Sequence, residues 1–284
     1  MPEQRTTTYV ETGDNEPEIP LLGGDVTEGL VRIGGTVRRP LGDHSPLVHA
    51  LLTHLEEVGF EGAPRFLGID AAGREVLTFL PGEVAGKPRP GWQADEDRLA
   101  SVARLVRAYD DAVSGFVLPE GLDAFAALPA PPDLPPAPTY PVELVGHMDY
   151  TPDNIVFRDG VAAGLIDFDI ARPVAKVDEL FNTMQYWGPL MDPADRDAPL
   201  RDVDSPRRCR LIADAYGMSE VDRTRLLEVA VLRTRRGWHL MKRNAEVLGG
   251  GWARMWDEGV GDAIKRREAW LERNGKAVEA ALLA

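Results

Sequence analysis

The chain has 284 residues and carries 32 Lys plus Arg against 46 Asp plus Glu, a formal charge of −14. That balance speaks against nucleic acid and anionic membrane surfaces, which require a basic face, and is compatible with a cationic small molecule as partner. Cys209 is the only cysteine, residues 1–20 are polar and acidic with no apolar segment, and no run approaches a membrane span; a cytoplasmic protein without disulfides is expected.

Residues 1–19 read as a flexible N-terminus, and 21–29 as a turn-rich stretch containing Gly23 and Gly24. Small residues there let backbone N–H groups approach an anion, although a Gly-Gly pair more often marks only a turn. Residues 30–33 and 36–39 predict two short strands around Gly34-Gly35, and 46–58 a helix with Val48, Leu51, Leu52 and Leu55 at helical spacing. Segments 65–69 and 75–80 are further strands, closed by Pro81-Gly82. A helix over 95–114 follows, with Leu99, Val102, Leu105 and Val106 as its apolar stripe. Residues 129–141 are too rich in proline for helix or central strand and predict an extended surface connector.

The segment 145–171 carries the chemistry. It reads His147-Met148-Asp149, then Asn154, then Asp167-Phe168-Asp169. Between them, Ile155 to Phe157 and Val161 to Ile166 are apolar runs joined by Asp159-Gly160, a hairpin signal. A tight hairpin puts Asn154 at its entrance and Asp167 at its exit, where both side chains can reach one cation. Each polar residue alone is an ordinary turn residue; the joint pattern is what carries weight. Phosphoryl transfer needs a carboxylate beside the acceptor hydroxyl, and an amide and a second carboxylate to hold Mg²⁺ on the phosphates. Other chemistries are missing: Gly86-Lys87 and Gly275-Lys276 are followed by Pro88 and Ala277, so there is no P-loop, and neither G-x-S-x-G nor H-E-x-x-H occurs.

This pattern resembles the family of aminoglycoside phosphotransferases and choline kinases, whose signature is close to H-G-D-x-x-x-x-N followed by I-D-[WF]-[DEG]. Met148 replaces the usual glycine. The resemblance spans about residues 20–280 but is specific only near 145–170. It implies a two-lobed α+β, protein-kinase-like fold, with a nucleotide-binding lobe over 20–81 and a catalytic and acceptor-binding lobe over 82–284. It implies ATP as co-substrate and Mg²⁺ as cofactor. Asp149 becomes the catalytic base, Asn154 and Asp167 the metal ligands, and His147 a brace of the loop. Asp178 becomes an acceptor for catalytic-loop N–H groups, a role compatible with its place at a helix N-terminus. Asp169 either assists a second metal or caps the following segment.

The small lobe departs from kinases, which supply a lysine paired to a helix glutamate. The strand here reads Thr36-Val37-Arg38-Arg39-Pro40. The resemblance puts Arg38 in the lysine's place, with Arg39 as the fallback. Val48 and His49 stand where the glutamate is expected, and Glu56 and Glu57 lie near the helix end. Phe79 and Leu80 fall where a kinase hinge meets adenine. The remainder predicts helices over 176–186, 207–216, 220–247 and 262–283, with the Gly249-Gly250-Gly251 run as a stop. On the third of these, Leu226, Leu227, Ala230, Val231, Thr234, Trp238 and Met241 define one face. Trp187, Trp238, Trp252 and Trp256 are either core residues or walls of an acceptor pocket. The function implied is transfer of the ATP γ-phosphate to a hydroxyl of a small molecule: an aminoglycoside, another hydroxylated antibiotic, an amino alcohol or a sugar. A nucleotide-binding, pseudokinase-like regulatory or ligand-binding protein is the alternative, motivated by the missing lysine.

Overall fold

A computed structural model describes residues 16–21, 29–122 and 129–284; Gly23 and Gly24 lie outside them. The N-terminal part is an antiparallel five-stranded sheet in the order β1 (Ile19–Pro20), β2 (Val31–Ile33), β3 (Thr36–Pro40), β5 (Arg74–Thr78), β4 (Phe66–Ile69). Helix α1 (Ser45–Glu57) packs on it by the expected stripe, with Leu47, Val48, Leu51, Leu52 and Leu55 buried and Pro46 in its first turn, where a missing N–H costs nothing. Isoleucine and proline at 19–20 pair with β2, so strand structure begins just inside the segment expected to be flexible.

The chain then passes to a mainly helical part through Gly82, at φ +151°. A Cβ there would sit 2.6 Å from the Phe157 carbonyl oxygen and 2.4 Å from Val156 Cγ1, so only glycine allows the approach. Glu83 and Phe157 exchange both backbone hydrogen bonds, 2.8 and 2.7 Å, which fastens the connection to the catalytic hairpin.

Helix α2 (Glu96–Val113) is capped by Asp95, whose carboxylate accepts from the N–H groups of Asp97 and Arg98. Its apolar face forms the centre of the core, and Tyr109 donates to the Val145 carbonyl at 2.8 Å. Two short strands absent from the sequence reading, β6 (Leu144–Gly146) and β9 (Arg172–Val174), pair antiparallel and bracket the catalytic segment. Between them lies the expected hairpin of β7 (Ile155–Arg158) and β8 (Val161–Leu165), with Asp159 and Gly160 both at positive φ. Helices α3 (Lys176–Trp187), α4 (Ser205–Tyr216), α5 (Glu220–Leu248), α6 (Gly250–Asp257) and α7 (Val260–Leu283) complete the chain.

Helices α5 and α7 run antiparallel. Arg223 donates to the Leu282 carbonyl at 2.8 Å near one end, and Arg235 meets Glu268 at 2.6 Å further along. Gly275 leaves room for Leu227, whose methyl would be 2.6 Å from a Cβ there. Only Leu226, Val229, Ala230 and Thr234 of α5 are buried, so the expected apolar face ends halfway along the helix. Trp238 is half-buried and stacks edge-on with Trp256, ring centroids 5.6 Å apart, whereas Trp187 is fully buried. The glycine run is not a full stop, because α6 begins at Gly250. The proline-rich connector lies along α5: Arg243 donates to the Pro129 carbonyl, His239 sits 3.2 Å from Asp133, and Arg236 donates to the Pro135 carbonyl. No helix among the described residues is long and apolar enough to cross a membrane.

Candidate active site

The loop between β6 and β7 is held from three sides. His147 is fully buried; its Nε2 meets the Ile166 carbonyl at 3.0 Å and its Nδ1 accepts from the Asp149 N–H at 3.2 Å. A ring that donates at one nitrogen and accepts at the other is neutral, and burial lowers its pKa to about 4. One imidazole thus ties the strand leading to Asp167 to the backbone of Asp149.

Met148 has φ +65°. A non-glycine residue there costs about 1–2 kcal/mol, which explains why the resemblance expects glycine. The same side chain is 1% exposed in the core, and burial of a methionine is worth about 1.5–3 kcal/mol. The left-handed turn therefore survives the substitution.

The loop's N–H groups do not go to Asp178. The Met148 N–H faces Glu179 Oε2 at 3.4 Å, and the Tyr150 N–H donates to Asn182 Oδ1 at 2.8 Å. Asp178 instead pairs with Arg233 on α5 at 3.3 Å. On a helix one residue is a turn of about 100°, so Asp178 and Glu179 point to different neighbours. Glu179 is fully buried, and its carboxyl lies so close to Gly146 that a Cβ there would be 2.0 Å from Oε1. Burial, with Asp110 nearby, pushes its pKa well up.

Asn154 donates through Nδ2 to the Asp149 carboxylate at 2.8 Å and to its carbonyl at 3.2 Å. That commits the nitrogen and leaves Oδ1 as the atom suited to a hard cation. The Ile166 N–H bonds the Asn154 carbonyl at 3.0 Å, so the residue before Asp167 is fixed beside Asn154. Asp167 has φ +65° and a side chain 40% exposed. Burial first, then the charge of Asp167, raises the Asp149 pKa to about 7, against the opposing hydrogen bond from Asn154. The Asp167 carboxyl is also pushed up, by burial and by Asp169.

Arg39, not Arg38, faces this group. Its Nε lies 2.9 Å from Glu75 Oε1, its Nη1 lies 3.3 Å from Asp167, and its Nη2 pairs with Asp169. Glu75 is directly opposite Arg39 in the β3–β5 register, and its other oxygen meets His49 of α1 at 2.6 Å. Arg38 points to the other face of the sheet, as alternation demands. There its Nη1 donates to Thr36 Oγ1 at 2.5 Å and its Nε lies 3.6 Å from Asp70, the residue that organises the β4–β5 turn. Arg39, the fallback of the two arginines, is thus the one beside Asp167; the carboxylate it meets on the sheet, Glu75, comes from a strand, and the helix contributes His49. Glu56 and Glu57 are exposed.

Asp169 binds Arg39 and His44 Nε2, the latter at 3.2 Å, so its negative charge is already compensated. These contacts overcome burial and lower its pKa to about 2. Phe79 is half-buried, donates through its N–H to the Gly35 carbonyl and lies under the Arg32 guanidinium at 3.9 Å; Leu80 packs near Gly164.

Among the described residues no three His, Cys, Asp or Glu side chains form a closed metal site. Mg²⁺ on a nucleotide does not need one, since one or two protein oxygens suffice beside phosphates and water. Asp149 and Asp167 carry raised pKa values. Burial first and neighbouring carboxylates second disfavour their ionised forms, Arg39 answers part of this at Asp167, and a divalent cation at Asp167 and Asn154 would add further positive charge.

A small antiparallel sheet, a tight connection and a helical part holding a His-x-Asp loop and hairpin define a kinase-like fold. The chain superposes on the GDP complex of aminoglycoside 2'-phosphotransferase-IIIa with a TM-score of 0.59 at 12% identity, over 92% of this chain and 95% of the other. A choline/ethanolamine kinase family protein from Mesorhizobium loti gives 0.57 at 16% identity, over 96% and 94%. The gentamicin complex of APH(2")-IIa gives 0.56 at 12%, over 94% of each chain. No protein-family model matches the chain. In sequence it is 34% identical over 213 residues to the trifolitoxin immunity protein of Rhizobium leguminosarum bv. trifolii, covering 72% of this chain and 76% of that protein. The chain belongs to the family of that immunity protein.

Proposed function

We propose that the chain is a Mg²⁺-dependent phosphotransferase that moves the γ-phosphoryl group of ATP to a hydroxyl of a small molecule. The observation that carries this reading is the Asp149–Asn154 hydrogen bond set beside Asp167 and Arg39. In it, residues 20–81 bind nucleotide and 82–284 supply catalysis and the acceptor site. The nucleotide complexes among its structural relatives support the first role, and their aminoglycoside complexes support a hydroxylated acceptor. The immunity protein in its family supports a biological purpose: phosphorylation that inactivates a toxic compound inside the cell.

Asp149 takes the proton from the acceptor hydroxyl as its oxygen attacks the γ-phosphorus and the bond to the β-phosphate oxygen breaks. A pKa near neutrality suits a base that must be free of its proton yet able to accept one. Asn154 orients the carboxylate. Asn154 and Asp167 would hold Mg²⁺, which supplies charge neutralisation for the phosphates. Arg39 takes the kinase lysine's role, with Glu75 fixing its guanidinium. This pairing favours an enzyme over a regulatory pseudokinase, because the lost lysine–glutamate pair has a replacement.

The test is ATP consumption with Mg²⁺ across hydroxylated amines, sugars and antibiotics. Acceptor-stimulated turnover by at least one class is expected; ATP that neither binds nor turns over with any of them would overturn the reading. Within such an assay, Arg39→Ala should raise the KM for ATP about 10- to 100-fold, since charge-assisted hydrogen bonds contribute about 1.5–3 kcal/mol. Arg38→Ala should leave that KM near wild type and lower the unfolding midpoint. The reverse pattern would reassign the phosphate contact to Arg38.

A further inference from the structure

The side of Asp149 away from Arg39 is rich in arginine. The Tyr150 N–H is held by Asn182 of α3, and helical spacing puts Asp178, Asn182 and Tyr186 on one stripe of that helix. That stripe looks toward α5, where Arg233 pairs with Asp178 at 3.3 Å. Arg172, on β9, pairs in register with Gly146 just before the catalytic loop and lies within electrostatic reach of both Asp149 and Arg233. Arg236, three residues on from Arg233 and so on a neighbouring stripe of α5, spends one donor on the Pro135 carbonyl. Arg267 of α7 lies near Tyr186 and within electrostatic reach of Asp195, and its Nε is buried without a hydrogen-bond partner among the described residues.

The compensating charge is small. Arg172 donates to a carbonyl, that of Ile170 at 3.1 Å, and Arg236 does likewise. Among the described residues, Asp178 forms the one close carboxylate ion pair of these four guanidiniums, Asp195 acts on Arg267 at longer range, and Glu179 is buried against Gly146 and pushed toward its neutral form. Next to Arg233, Thr234 is 3% exposed and its hydroxyl has no partner among the described residues, and a side chain at Gly237 would meet nothing within 4 Å. Buried donors beside open space call for an acceptor, and the guanidiniums around them favour an anionic one. Arg233 also stands within repulsive reach of both Arg172 and Arg236, a repulsion that an anion between them would relieve.

We infer that the acceptor site in front of Asp149 binds an anionic group, a carboxylate or phosphate carried by the hydroxylated substrate, through Arg172, Arg233, Arg236 and Arg267. This rests on the phosphotransferase reading for the position of the acceptor. It makes the arginine cluster the specificity element, since guanidiniums offer an anionic group charge-assisted hydrogen bonds that an uncharged or cationic group cannot use.

The experiment uses the full chain saturated with Mg²⁺·ADP, so that the nucleotide's own anion site is filled, and titrates sulfate by calorimetry. Matched pairs, glycerol against glycerate and ethanolamine against serine, are then compared as competitors of sulfate. Sulfate should bind the wild type. Arg267→Gln and Arg233→Gln should each weaken it at least tenfold, with Arg233→Lys weakened less. Glycerate and serine should displace it better than glycerol and ethanolamine. Arg267→Gln removes no ion pair, so it keeps the test decisive if Arg233→Gln fails to fold. Sulfate that does not bind, or that binds both Gln variants as well as wild type, overturns the inference, as does better displacement by the uncharged or cationic members. If Mg²⁺·ADP itself fails to bind while sulfate binding stays arginine-dependent, the anion site stands and the phosphotransferase reading falls.

Discussion

Replacing Asp149 with Asn should reduce acceptor phosphorylation by about 10²–10⁴-fold, the usual contribution of a positioned acid–base group. Mg²⁺·ATP affinity should stay within a few-fold of wild type, because Asp149 is given no metal contact. The substitution is nearly isosteric, and its carbonyl oxygen can still accept from Asn154 Nδ2, which now lies 2.8 Å from the carboxylate. What is lost is charge and basicity. The loss therefore belongs in kcat and not in the KM for ATP. Wild-type turnover of an accepted substrate by Asp149→Asn would exclude this residue as the base.

The same substitution should make the nucleotide-free, Mg²⁺-free protein more stable at pH 8. Burial and the Asp167 charge raise the folded-state pKa of Asp149 from 3.8 to about 7. A raised carboxyl pKa means that the folded state holds its proton more tightly than the unfolded state. Its stability relative to a non-titrating analogue is fully retained below pH about 4. It falls as pH rises to about 7 and is level above that. At about 1.4 kcal/mol per pKa unit, the full span is on the order of 4 kcal/mol. Urea unfolding of the two proteins at pH 4 and pH 8 measures it: the Asn variant should gain at pH 8 relative to pH 4. A constant difference across that range would mean that the carboxylate is not destabilised by its site.

The parts of the fold that could be read from the residues were those set by local rules. The α1 and α2 stripes follow helical spacing, and the β7–β8 turn follows Asp159-Gly160, both with positive φ in the structure. Strands of two or three residues such as β1, β6 and β9 are too short to show alternation, and their pairing is non-local. Two of the differences at the site are offsets of a single residue. Arg38 and Arg39 are equal in sequence, but only the second lies on the Glu75 face. Asp178 and Glu179 are both acidic residues in the first turn of α3, and only the tertiary packing against Gly146 selects Glu179. The Arg39–Glu75–His49 chain spans a strand, its neighbour and a helix, so no spacing along the chain announces it.

Asp167→Asn should abolish Mg²⁺-dependent nucleotide binding and turnover while leaving the fold intact. Asp167 sits at φ +65°, and Asn is among the few side chains that tolerate this region well. Its amide keeps the size of the carboxyl, and Arg39 retains Glu75 and Asp169 as partners after the charge is removed. What disappears is the most exposed carboxylate of Arg39's three, and with it the anionic oxygen available to a cation from solvent. Calorimetric titration of ADP with Mg²⁺ and with EDTA isolates this contribution. In wild type, Mg²⁺ should tighten ADP binding, and in Asp167→Asn the two titrations should coincide. Alanine at Asn154 should have a similar effect on Mg²⁺ dependence, with an added loss of turnover from the freed Asp149. An Asp167→Asn protein that still gains affinity from Mg²⁺ as wild type does would move the cation elsewhere. Asp169 would then be the next residue to test, and its ties to Arg39 and His44 argue that it serves those cations first.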